Sequence, residues 1–301
     1  KGYLELIDGW VLMFFGKTFD WFGSDYIRIA MIITLIAGAL FILLQLHSGN
    51  HRYLELGIFR YRNTWIGVLL FVLVMFVNTP SQLFIGSFAK IGSVSGNIEV
   101  QALMKYAIYG CLFGVAISLV MIIRRMKFRT IFVLGFLLMT VSNIYMYFQY
   151  QTDAYIPNLH WPMLLNYMGW IMPYSVVCAH GMKNLPAKYL PTWLFLIVAV
   201  RNVIAPAVGS SVYSNWLQER QQFHITELTG NIDVTNHTAS KAFSGAMKMA
   251  KNNGSGELEA KQLATVSLSA KVRQQATIVA MKDITATTIW ICIGCVLICL
   301  F

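Results

Sequence analysis

FLIVAVRNVIAPAVGSSVYSNW, residues 195–216, is long and apolar enough to cross a bilayer, yet its seventh residue is Arg201. Asn202 follows directly, and Pro206, Gly209, Ser210 and Ser211 come soon after. The hydrocarbon core is about 30 Å thick and takes about 20 apolar residues per helix. An arginine at its centre costs at least about 2.5 kcal/mol on insertion scales, so such a residue faces a cavity or a partner. What this arginine is for depends on the residues around the stretch.

The chain has 301 residues, of which 57% are hydrophobic and 12% charged, and its mean hydropathy is +0.59. Soluble domains carry about 25% charged residues. The apolar residues come in long blocks, giving complete spans at 26–46, 64–86, 101–123, 130–150, 161–182, 190–215 and 284–301, with a partial one at 4–16. The expected fold class is therefore an all-α polytopic membrane protein. Lys1 in place of Met, and a last span running into Phe301, lead us to expect a piece of a longer chain.

Short cytoplasmic loops collect Lys and Arg. Arg52, Arg60 and Arg62 lie in 47–63, Arg124, Arg125, Lys127 and Arg129 in 124–129, and Lys183 and Lys188 in 183–189. The alternate connections hold only Lys17 and Lys90. The alternation predicts that the first set faces the cytoplasm, that the C-terminus is cytoplasmic, and that 216–283 is external. Much of the net charge of +10 sits in those inner loops, which suits an anionic lipid leaflet rather than nucleic acid.

The external segment has turn signals in its middle (TGN, NNGSGE) and helical ends, NWLQERQQFHITEL and SLSAKVRQQATIVAMKDI. Two helices packed on the membrane portion are expected. The domains so divided are 1–63 (the end of one span, span 26–46 and a cytoplasmic connection), 64–215 (five spans), 216–283 (external helical loop) and 284–301 (last span).

None of the 13 acidic residues lies inside a complete span. Among cations, Arg201 is well inside one, and Lys105 is near enough to an end to snorkel. Two readings of Arg201 stand: it caps backbone carbonyls near the Pro206 break, or it lines a substrate path. Gly110 and Gly114, and Ala205 and Gly209, have the spacing of closely packed helices. Pro80 and Pro173 mark breaks that neighbours or water must satisfy.

Asn78, Gln82, Tyr109, Asn143, Asn166, Tyr167, Trp170 and Tyr174 place polar and aromatic groups in the same spans. Asn166, Trp170 and Tyr174 are four apart and share a helix face. The candidate substrate-binding set is Arg201, Asn202, Asn78, Gln82, Tyr109, Asn166, Trp170 and Tyr174. Such a cavity suits small amphipathic or cationic molecules through stacking and cation–π contact.

No metal site is expected. Cys292, Cys295 and Cys299 lie in an apolar span without His or acidic neighbours, and His47 and His51 sit at a loop edge beside Arg52. His180, alone at a helix end, supplies no reactive cluster, so an enzyme is not expected.

IFRYRNTWIG, within residues 51–67, resembles the connection into the C-terminal six-helix bundle of the fourteen-span drug:proton antiporters of the major facilitator superfamily. KTFDWFGS resembles the external turn between their two extra central spans. The Arg201 helix with WLQERQQFH resembles their penultimate span, and VRQQATIVAMKD the lead into their last. The acidic–basic loop signature is reduced to RRMKFR, without Asp.

The resemblance implies the extra central spans plus a C-terminal bundle of major-facilitator type, in a multi-pass inner-membrane exporter of drug-like compounds. It implies no cofactor, the proton-motive force as the drive, and an N-terminal six-span bundle missing from this chain. A periplasmic adaptor protein is a further possible partner, and Arg201 and Asn202 would face the central cavity. The alternative expectation is a membrane interaction or sensor protein that binds a partner through 216–283.

Overall fold

A computed structural model describes residues 25–47, 55–92, 97–151, 156–182, 185–230, 237–252, 254 and 256–300. The partial span 4–16, the turn KTFDWFGS, His51, Arg52 and Lys183 lie outside the described residues. The helices are α1 (Asp25–His47), α2 (Arg62–Gly92), α3 (Asn97–Ile123), α4 (Phe128–Gln149), α5 (His160–Met182), α6 (Leu190–Ala199), α7 (Ala205–Gly230), α8 (His237–Asn252) and α9 (Glu257–Leu300). A π-helical turn, Val200–Ile204, joins α6 to α7. Among the described residues there is no strand.

A helix forms at each apolar block from 26 onward. Among the described residues, four helical stretches are long and apolar enough to cross a membrane unaided: Thr64–Phe88, Gln101–Ile123, Phe128–Gln149 and part of Glu257–Leu300. Seven were expected, and the difference has physical causes. His160, Asn166, Tyr167, Trp170 and Tyr174 dilute the hydropathy of α5, and the π turn leaves α6 only 10 residues long. Helix α1 is itself 23 residues long, Asp25–His47, with Ile29, Leu35 and Leu44 exposed along it.

Helix α5 packs against α2, α3 and α4, while α9 packs against α2, α4, α7 and α8. One buried cluster gathers Phe71, Phe136, Met139, Met172, Trp193 and Cys292. A second, along the bundle toward the extended ends of α7 and α9, gathers Phe84, Phe88, Met146, Tyr150, Tyr213 and Ile284.

In lipid the drive for helix association is close packing of small residues rather than escape from water. A Cβ on Gly110 would collide with the Leu164 carbonyl, and one on Gly114 with Ile171 and, at 2.8 Å, the Met168 carbonyl. Gly135 and Gly169 make the equivalent approach between α4 and α5, which the sequence spacing does not announce. At Gly209 a Cβ would lie 2.5 Å from Thr79 Oγ1, so α7 crosses α2 there. The side chain of Ala205 lies outside the described residues. Pro80 and Pro173 are both buried inside continuous helices. Beside them Thr79 donates to the Met75 carbonyl and Ser175 to that of Ile171, each at 2.8 Å.

Residues 216–283 hold more helix than expected. Helix α7 continues to Gly230, α8 adds a third element, and α9 runs 44 residues without a break at 283–284. At about 1.5 Å per residue α9 is about 66 Å long, twice a hydrocarbon core. Ala260, Ala264, Val272 and Ala276 recur every turn or two on its buried side and let α8 and α7 lie close.

Candidate functional site

The site grows from the break between α6 and α7. Pro206 has no N–H, and in α register its ring would crowd the Asn202 carbonyl. The backbone widens into the π turn Val200–Ile204 just ahead of it. Single π turns inside helices are rare and concentrate at functional sites. Arg201 lies about 16 Å along the axis from Leu190 at about 1.5 Å per residue, a rise of about half the thickness of a hydrocarbon core.

Two rings of α5 receive the guanidinium. Arg201 Cζ is 5.2 Å from the Tyr174 ring centroid and 5.7 Å from that of Trp170. Arg201 Nη1 donates to the Tyr174 hydroxyl at 3.4 Å, a long bond. Trp170 and Tyr174 sit one turn apart, their centroids 5.7 Å apart. Phe71 of α2 backs Tyr174 at 5.3 Å. Trp170 is 5% exposed and Tyr174 half-buried, whereas Arg201 and Asn202 are exposed. No carboxylate of the described residues pairs with Arg201.

The rest of the expected set is placed elsewhere. Asn78 and Asn166 are 1% and 0% exposed, and Asn166 Nδ2 donates to Asn78 Oδ1 at 2.8 Å. They clasp α2 to α5 inside the bundle and do not line an open surface. Gln82 is exposed one turn beyond Asn78. Tyr109 is exposed on α3, where its ring meets Tyr106 at 6.3 Å and not the rings beside Arg201. The structure thus brings together Arg201, Trp170 and Tyr174, with Asn202 next in chain.

Sequence spacing misses Phe71, which carries no polar signal. It also misses the second clasp, in which Ser81 donates to Asn143 Oδ1 at 2.9 Å. The available signal for the π turn is Pro206 standing four residues after Asn202. Among the described residues no group of three His, Cys, Asp or Glu could hold a metal ion. No protein-family model matches the chain, and no curated protein matches it either.

Proposed function

We propose that this chain is the C-terminal part of an inner-membrane secondary active exporter of drug-like or amphipathic small molecules, of the fourteen-span antiporter type. It works by alternating access, with proton antiport as the drive. The observation that carries the reading is Arg201: a full charge held near mid-helix in a π turn, exposed, and in cation–π contact with Trp170 and Tyr174. A charge kept there for structure alone would be buried against backbone carbonyls. Instead Arg201 and Asn202 are both exposed.

The clasped pair Asn78–Asn166 then belongs to the rigid body of the bundle, and the substrate path runs past Arg201, Asn202, Trp170 and Tyr174. None of the described spans supplies an acidic residue in its interior, so proton carriage falls to groups outside them. In this reading the basic loops face the cytoplasm and the α7–α9 extension lies outside.

The test is pH-gradient-driven efflux of an amphipathic dye from vesicles holding the intact protein, wild type beside Arg201→Ala. Gradient-dependent efflux that drops at least tenfold in a well-folded Arg201→Ala variant supports the reading. Equal efflux in both returns Arg201 to a structural role. A second reading, a partner-binding protein, draws on Met249, Leu258 and Val266, all exposed on the extension. Under it, shortening α8 and the start of α9 abolishes function while Arg201→Ala does nothing.

A further inference from the structure

The candidate site holds a cation, and no carboxylate of the described residues pairs with it. The guanidinium of Arg201 is planar and carries five N–H donors in a fixed fork. Trp170 and Tyr174 lie together on one side of it, their centroids 5.7 and 5.2 Å from Cζ, and one long bond from Nη1 reaches the Tyr174 hydroxyl. Arg201 is exposed, and no carboxylate of the described residues pairs with its remaining donors. The indole N–H of Trp170, itself buried, also makes no hydrogen bond.

The same geometry removes these rings from another use. A cationic molecule needs a free aromatic face, and the two rings here already hold a cation. A second positive charge brought to them would meet the Arg201 charge at close range. Sequence composition pointed to a cation site; the arrangement of the three side chains points the other way.

We infer that the Arg201 site takes an oxyanion, a carboxylate or sulfonate borne on an apolar body, through a two-bond fork of the guanidinium edge. This rests on the exporter reading and narrows its substrate to organic acids. Planar forked recognition is specific to Arg over Lys. A protein carboxylate outside the described residues has the same chemistry, and the experiment separates the two sources.

The experiment measures equilibrium binding by scintillation proximity on the intact protein in detergent, with two matched tritiated probes. They are 1-naphthaleneacetate and (1-naphthylmethyl)trimethylammonium, compared on wild type, Arg201→Lys and Arg201→Gln. Size-exclusion profiles verify that each variant is folded. Wild type should bind the acid in preference to the ammonium. Arg201→Lys should weaken acid binding several-fold. Arg201→Gln should weaken it at least tenfold and, by freeing both rings, raise affinity for the ammonium probe, reversing the preference.

Preferential ammonium binding by wild type overturns the inference, as does acid binding that Arg201→Gln leaves unchanged. Binding of neither probe also overturns it and assigns the fork to a carboxylate of the protein. Efflux is run in parallel. Efflux without acid binding defeats this inference alone, whereas acid binding through Arg201 without gradient-driven efflux defeats the exporter reading.

Discussion

Asn166 of α5 donates a 2.8 Å hydrogen bond to Asn78 of α2, with both side chains fully enclosed by the bundle. Between membrane helices such bonds contribute about 0.6 kcal/mol on average and up to about 2 kcal/mol. A double-mutant cycle with Asn78→Ala and Asn166→Ala should give a coupling energy in that range, read from reversible unfolding in bicelles. Asn78 acts here on the fold. Its replacement should therefore lower stability more than it lowers substrate affinity, and a coupling near zero would remove the clasp from the account.

The seam between α3 and α5 admits no side chain at Gly110 or Gly114, where a Cβ would press on backbone. Gly114→Val should force α3 away and cost about 3 kcal/mol or more, beyond the usual overpacking range of about 1–3 kcal/mol, because the obstacle is main chain. Gly86→Ala on α2 meets nothing within 4 Å and serves as the control. Detergent-solubilised yield and thermal midpoint should collapse for the first and hold for the second.

How much of this was legible in the residues depends on what each feature obeys. The apolar blocks 64–86, 101–123 and 130–150 became helices because block length is set by the bilayer, and it is written in composition. The continuity of α9 was not legible. Asp283 marks a polarity boundary, but a helix crosses such a boundary without any change in backbone geometry. Helix α8 was legible in principle, since Phe243, Ala246, Met247 and Ala250 follow a helical period on its buried side, but the turn signals on either side of it drew the reading toward a linker.

The site divided in a similar way. Arg201 stood out as a charge in an apolar stretch, and Trp170 and Tyr174 followed from four-residue spacing. Spacing alone could not say that Asn78 and Asn166 point at one another or that Tyr109 faces outward. Those outcomes depend on the rotation of α2, α3 and α5, which the glycine seams fix only once the partner helix is known.

At the base of the extension, His224 of α7 lies between two carboxylates. Its Nε2 is 2.9 Å from Asp283 Oδ2 on α9 and its Nδ1 3.3 Å from Glu227 Oε2. One turn away Gln221 Nε2 donates to Thr277 Oγ1 at 2.6 Å. The imidazole is 13% exposed and Asp283 40% exposed, so solvent screens part of the attraction. His224→Ala should cost about 1 kcal/mol or less in global stability. It should still raise amide hydrogen exchange several-fold at the α7–α9 base, with Lys241→Ala on α8 as the silent comparison. Equal exchange in both would show that side-chain packing, not this tie, holds the base.

Helix α3 ends on a residue that ordinarily does not end helices this way. Arg125 has φ 53°, the left-handed conformation. The N–H of Met126 bonds the Met121 carbonyl at 3.0 Å and that of Arg125 the Ile122 carbonyl at 2.9 Å, the two bonds of a Schellman closure. Glycine takes that position without steric cost, whereas a side chain there costs about 1 kcal/mol. Arg125→Gly should therefore raise the thermal midpoint by a few degrees, and Arg125→Val should lower it, since a β-branched residue tolerates positive φ least. Arg125→Gly also removes one of the four basic residues of the loop 124–129. If orientation rests on that loop's charge, three remaining cations should keep it, and cysteine accessibility from the two membrane sides should match wild type. A midpoint that falls in Arg125→Gly would mean that the arginine side chain contributes more to the turn than its backbone costs.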